Sequence, residues 1–211
     1  MFGKIISIDG PSNTGKSTIC ENISRYPQFE YIKESGRRVR HPRPSTNLEE
    51  EILNQIFYFK EEEKRIEEAY NLASQGKFVI LDRSVLSILS IAYAFEKVGK
   101  YQAFSNAKAL YEKFNEKMIS PDMYIFLEAK PIDLQKRNKA VKLPPSWMND
   151  TFIGYQIEFN RNISNKLNNS FILSTSDRQI DDLTNEIINY ALQKNDISAN
   201  PLIKFHEIST I

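Results

Sequence analysis

Apolar residues along the chain fall into five short unbroken runs separated by longer stretches with helical spacing. Ile5-Ile6-Ser7-Ile8 is β-branched and stops at Gly10-Pro11, as a strand buried on both faces would. The next stretch predicts a helix from about Gly15 to Tyr26, closed by Pro27. Phe29-Glu30-Tyr31-Ile32 predicts the second strand. Ser35 to Asn47 holds four basic residues, His41 and two prolines, and predicts a loop with a charge bias. Asn47 is placed to cap a long helix whose first turn carries Glu49, Glu50 and Glu51. Ile52, Ile56, Phe59, Ile66 and Ala73 keep that helix amphipathic as far as Gly76. Phe78-Val79-Ile80-Leu81 predicts the third strand. Helices follow over roughly 84–98 and 102–118, broken near Gly99. Met123 to Leu127 predicts a fourth strand, Ile132 to Lys139 a short helix, and Thr151 to Leu167 a longer one. Phe171-Ile172-Leu173 predicts the fifth strand, and a last helix spans about 179–193.

Short continuous apolar strands alternating with helices require a parallel sheet covered on both faces. The expected fold is therefore α/β, a five-stranded parallel sheet with helices on both faces. Ligands in such sheets bind outside the carboxyl ends of the strands. The chemistry is expected just after residues 9, 34, 82, 127 and 174. A length of 211 residues suits one domain, taken as 1–194, with 195–211 as a patternless tail.

Composition narrows the classes. Lys+Arg number 28 against 27 Asp+Glu, so the chain lacks the basic excess of a non-specific nucleic-acid binder. A single cysteine forms no internal disulfide, and with two histidines it makes no zinc cage. No apolar run is long enough for a membrane span, and MFGKIISIDG is too short and too quickly polar for a signal peptide. A cytoplasmic enzyme or switch is expected, with a small-molecule acceptor and neither nucleic acid nor membrane as partner.

Gly10-Pro11-Ser12-Asn13-Thr14-Gly15-Lys16-Ser17-Thr18 matches G-x-x-x-x-G-K-[ST] in full, directly after a strand and before a helix. Gly10 and Gly15 permit backbone conformations closed to other residues, so successive N–H groups, those of Asn13, Thr14 and Thr18 among them, can turn toward one anion. The helix beginning at Gly15 aims its positive end at the same point. Lys16 supplies charge for the β- and γ-phosphates of ATP, and the Ser17 hydroxyl is placed for Mg²⁺.

Asp82 ends the third strand, where it can hold the metal or merely cap the next helix. Arg83 follows at a helix start, a poor place for a cation unless an anion holds it there; the alternative is a solvated surface arginine. Glu34 ends the second strand and is expected beside the phosphate loop. There it accepts a proton or a hydrogen bond from an acceptor, or is an ordinary strand-end acid. Of Arg37, Arg38, Arg40 and Arg43, one or two are expected to meet an anionic acceptor group, with Arg37 and Arg38 nearest. Phe59 is a candidate stacking surface for the acceptor, against the alternative that it is core.

These residues resemble the P-loop nucleoside and nucleotide kinases, most closely the thymidylate kinase-like group. The carriers are Ile8-Asp9-Gly10 through Thr18, Lys33-Glu34-Ser35-Gly36, Leu81-Asp82-Arg83-Ser84 with Ser87, and Met123 to Leu127 with Ile132, Leu134 and Arg137. Asp82-Arg83-Ser84-x-x-Ser87 approaches the signature of deoxynucleoside kinases, and Ile8-Asp9-Gly10-Pro11-Ser12 is similar to that of cytidylate kinases. The resemblance implies transfer of a phosphoryl group from ATP to a nucleoside or nucleoside monophosphate. By it, Lys16 and Ser17 serve the donor and magnesium, Glu34 and Asp82 are acceptor-side acids, and Arg83 touches the acceptor's reacting end. By the same resemblance, residues 137–150 are expected to form a mobile lid entered at Arg137, from which Lys139 and Lys142 would add charge on closure. It also implies a homodimer through helices 84–98 and 102–118, whose apolar faces serve equally well as core. Rival readings are a kinase for another metabolite hydroxyl, a nucleotide-binding switch, and an inactive binding protein. Against the switch, Asn138-Lys139-Ala140-Val141 lacks the acid that would read guanine.

Overall fold

The five apolar runs form five strands: β1 (Ile5–Asp9), β2 (Phe29–Ile32), β3 (Phe78–Asp82), β4 (Met123–Glu128) and β5 (Ser170–Ser174). They come from a computed structural model that describes residues 2–40, 42–115, 119–141 and 147–193. Every strand pair is parallel, and the spatial order is β2-β3-β1-β4-β5. The helices are α1 (Lys16–Ile23), α2 (Ser35–Arg38), α3 (Leu48–Ser74), α4 (Val85–Lys97), α5 (Ala103–Asn115), α6 (Pro131–Val141), α7 (Asp150–Ser164) and α8 (Ile180–Gln193).

Strand geometry divides these helices between two layers. Successive side chains point to opposite faces. On β4, Tyr124 and Phe126 pack with Phe59, Leu86, Leu89, Tyr93, Ala107 and Phe159. Met123, Ile125 and Leu127 pack on the other face with Ile19, Ile23, Leu183 and Ile187. Thus α3, α4, α5 and α7 cover one side of β4, and α1 and α8 the other. Ile66, Ala69 and Ala73 of α3 cover Ile5, Val79 and Leu81 nearer the β2 edge. Among the described residues no helix is long and apolar enough to cross a membrane.

Two expectations change. The loop between β2 and α3 opens with the short helix α2, whose Val39 N–H closes it on the Ser35 carbonyl. Strand β2 does not adjoin β1, because β3 lies between them, so Glu34 reaches the phosphate loop across the end of β3. From α4 and α5, Leu86, Leu89, Ala92, Phe104, Ala107 and Tyr111 all belong to one buried cluster, as the core alternative expects. Asn47 caps α3 as its position predicts, accepting from Glu50 N at 2.9 Å. Lys142 and the tail 195–211 lie outside the described residues.

The turn after β1 is pressed against β4. Gly10 has φ +139°, and a Cβ built there would stand 2.2 Å from the Leu127 carbonyl oxygen. Both the backbone angle and the contact exclude a side chain. Gly10→Ala should therefore lower the unfolding free energy in urea by at least about 2 kcal/mol. An unchanged midpoint and slope would show that this turn yields freely.

Candidate active site

Four residues after β1 the backbone reverses through Asn13 (φ +66°) and Gly15 (φ +93°), and α1 starts at Lys16. The resulting loop is self-braced: Thr14 Oγ1 donates to the Pro11 carbonyl at 2.9 Å. Lys16 is almost fully buried, and its Nζ donates to the same carbonyl at 2.7 Å and to Thr14 Oγ1 at 3.4 Å. Burial, and then the nearby Arg83 guanidinium, lower the Lys16 ammonium from its ordinary value to about 7; Asp82, Glu34 and Asp9 work in the opposite sense. An ammonium so poorly solvated gains a great deal when an anion arrives beside it. Thr18, one residue past Ser17 in α1, is exposed.

Asp82 is fully buried at the end of β3. Its Oδ2 accepts from Ser17 Oγ at 2.6 Å and from Tyr31 OH at 3.1 Å. Its Oδ1 is buried and has no hydrogen-bond partner among the described residues. Asp82 does not cap the following helix. That role belongs to Ser84, whose hydroxyl accepts from Leu86 N at 3.2 Å. Burial and the Asp82 carboxylate both push the Tyr31 phenol up, so Tyr31 stays a donor to Asp82.

Arg83 is not a solvated surface residue; its side chain is 16% exposed and its φ is +69°. Its Nε donates to Glu34 Oε2 at 2.7 Å. The same guanidinium donates to the Gly10 carbonyl at 3.1 Å, to Ser87 Oγ at 3.3 Å and to Ser12 Oγ at 3.4 Å. Arg83 therefore bridges the phosphate loop to Glu34. Burial alone would raise the Glu34 carboxyl, but Arg83, with Lys16 and Arg37, outweighs it and holds the group below its usual range.

The remaining candidates divide. Arg37 stays near the site, 3.7 Å from Glu34 and 3.4 Å from Glu21. Arg38 turns to α3 and pairs with Glu68 at 2.6 Å. Arg137 docks on the loop from α6, donating to the Asn13 carbonyl at 3.2 Å and to Thr175 Oγ1 and O at 2.9 and 2.8 Å. Lys139 is exposed on the same helix. Trp147, between α6 and α7, forms an aromatic cluster with Phe95 and Phe152. Phe59 does not serve as a stacking surface: it is wholly buried, stacked on Phe114 in the core.

Two groups escaped the sequence reading. Asp9, fully buried at the end of β1, accepts from the hydroxyls of Ser7, Ser84 and Ser87 and from Ser84 N. Arg65 of α3 is 2% exposed. A carboxylate inside an apolar strand run was a signal for the first. For the second, Glu62 falls on the apolar helix face of Phe59 and Ile66, where a buried ion pair becomes legible.

A family model described as AAA domain matches residues 5–139, well over half of the chain. The chain belongs to the AAA domain family. The phosphate loop, Asp82, Arg83 and Arg137 all lie within the matched AAA domain. Over 162 residues the chain is 29% identical to a cytidylate kinase of Mycoplasma pneumoniae, covering 69% of this chain and 71% of that one. The fold of this AAA domain is similar to that of thymidylate kinase from Candida albicans, with TM-score 0.73, 16% identity and coverage of 96% and 99% of the two chains. It is also similar to a deoxyadenosine kinase from M. mycoides solved with dATP bound, with TM-score 0.68, 20% identity and coverage of 88% and 99%. The architecture is thus that of the P-loop kinases.

The buried Lys16 would make binding of a polyphosphate at this loop proton-linked. Near pH 8 the free ammonium is mostly deprotonated, whereas a bound polyanion favours the charged form. Binding should take up close to about one proton there and weaken as pH rises above about 7. Calorimetry in buffers of different ionisation heat measures this directly, and zero uptake at pH 8 would contradict it.

Proposed function

We propose that this AAA domain is a kinase that transfers the γ-phosphoryl group of ATP to a nucleoside or nucleoside monophosphate, with Mg²⁺. The observation that carries the reading is the chain of contacts across the site. A polyanion cradle at Gly10–Thr18 is joined through Ser17–Asp82 and through Arg83 to an acid, Glu34, on the far side. A donor cradle alone would serve a switch. A cation and a carboxylate facing it from the next strand ends provide for a second reactant. The kinases of nucleosides and nucleotides among the relatives support the same class of acceptor.

The residues present fit magnesium. Asp82 offers a buried oxygen with no partner among the described residues, and the Ser17 hydroxyl lies against its other oxygen. Among the described residues no cluster of three or more metal-ligating side chains forms, which suits a cation that keeps waters and phosphate oxygens as ligands. Magnesium held by Ser17 and Asp82 would supply charge to the β- and γ-phosphate oxygens.

The chain's own residues account for the rest. The loop amides and Lys16 hold the donor so that its terminal phosphorus faces Arg83. The acceptor oxygen bonds to that phosphorus, the bond from phosphorus to the β–γ bridging oxygen breaks, and ADP leaves with the electron pair. For a hydroxyl acceptor, Glu34 takes the proton; its depressed carboxyl is ionised and ready near neutral pH. A monophosphate acceptor is already an anion, and Arg83 and Arg37 then neutralise it. The loose transition state spreads charge over the moving phosphoryl oxygens, so fixed cations do most of the work. Arg137 of α6 already reaches the loop.

Coupled measurement of ADP release against a panel of nucleosides, nucleotides and other metabolites should show strong stimulation by one nucleoside-type acceptor. Lys16→Ala should lower that turnover by roughly a thousandfold or more while the far-ultraviolet circular dichroism stays unchanged. Acceptor-independent GTP turnover, or parental turnover in Lys16→Ala, would overturn the assignment.

A further inference from the structure

Among the described residues, the proposed chemistry leaves one buried cation without a task. Arg65, in the middle of α3, is 2% exposed, and its hydrogen bonds run to Glu62 and to main-chain carbonyls rather than to Glu34 or the Arg83 guanidinium. Its Nη1 pairs with Glu62, also buried. Its other bonds all run to main-chain carbonyls: Nε to Lys33 at 3.0 Å, Nη2 to Asp82 at 2.8 Å and to Arg83 at 2.9 Å.

Those three carbonyls lie at one place in the fold. The β2–β3 register pairs Phe29–Ile32 with Phe78–Leu81, so Lys33, Asp82 and Arg83 are the residues just past the last register pair. Carbonyls there lie past the β2–β3 register, and the Asp82 carbonyl, at a buried position, needs another donor. The rigid fork of an arginine can serve both strand ends from one point, which a lysine cannot. Lys33 immediately precedes Glu34, and Arg83 sits at φ +69°, a conformation that persists only when its surroundings fix it. Its N–H donates to the Ile8 carbonyl, its carbonyl accepts from Arg65, and the next N–H donates to Asp9.

We propose that Arg65 is a positioning residue for phosphoryl transfer: by gripping the backbone at the ends of β2 and β3 it holds Glu34 and Arg83 in register with each other and with the acceptor. The role rests on the kinase reading, since it is the acceptor half of the site that it aims. The phosphate loop touches the same residues through Asp82 and Arg83 but has further braces of its own in Pro11, Thr14 and Arg137, so loss of Arg65 weighs more on the acceptor than on ATP. A purely structural ion pair would affect both halves alike.

The test compares Arg65→Lys with the double variant Glu62→Met/Arg65→Met, which removes the buried pair without stranding Glu62. In the double variant, kcat/KM for the acceptor should fall roughly 10–100-fold, carried mainly by acceptor KM, with ATP KM within about twofold of parent. Arg65→Lys should lie between. Carbon-13 NMR of Glu34 should show its carboxyl titrating at higher pH in both variants, because Arg83 is no longer fixed against it. Parental acceptor KM together with a parental Glu34 titration in either folded variant overturns the proposal. So does an equal loss for ATP and acceptor that tracks a lowered melting temperature. Absence of acceptor-stimulated ADP release in the parent would defeat the kinase reading instead, and the Glu34 titration would still decide whether Arg65 sets that carboxylate.

Discussion

A carboxylate sealed at the end of the central strand governs the geometry of the site. Asp9 is fully buried, and burying a charge without partners is costly enough to dictate its surroundings. It is satisfied by Ser7 of its own strand and by Ser84 and Ser87, which open α4. The Ser84 N–H it accepts is one of the donors that a helix start leaves without an intrahelical partner. One group therefore answers two needs: its own desolvation and the open end of α4. The consequence is positional. β1 leads into the phosphate loop, and β3 leads through Asp82 and Arg83 into α4. Tying Asp9 to Ser84 thus fixes the donor loop against the residues that face it.

Around that tie the charges alternate. Lys16, Arg83 and Arg137 converge on the loop, while Asp82 and Glu34 stand among them. The acids keep the cations from repelling one another in a poorly solvated space, yet the balance is incomplete. Lys16 is held well below its ordinary basicity, and one oxygen of Asp82 has no partner among the described residues. Under the proposed function, a polyphosphate with a divalent cation would meet both deficits at once: negative charge for Lys16 and positive charge for Asp82. Preorganised groups that gain most when the reactants bind are what a charged transition state requires.

The residues of the phosphate loop were legible because their chemistry is local. Glycines at fixed spacing, a lysine and a serine belong to one short stretch, and the strand and helix around it follow from apolar periodicity alone. Asp82 and Arg83 were legible for the same reason, as a carboxylate and a cation at a strand end. Phe59 misled because an aromatic on an amphipathic helix looks the same whether its face meets a cavity or a core; here Phe114 stacks on it. Arg65 and Asp9 were passed over because each acts on residues distant along the chain. Arg65 answers carbonyls 32 and 17 positions away, and Asp9 a helix start 75 positions away.

The sequence by itself determined the elements, the parallel sheet and the donor loop, since these depend on periodicity and on neighbours within a few residues. It also set which strand ends would carry charge. Tertiary structure decided the lateral order of the strands, which inserts β3 between β1 and β2 and so interposes Arg83 between Glu34 and the loop. It decided as well which polar groups became buried and had to be answered. Lateral order and burial arise when distant segments compete for the same neighbours, and no local pattern encodes the outcome of that competition.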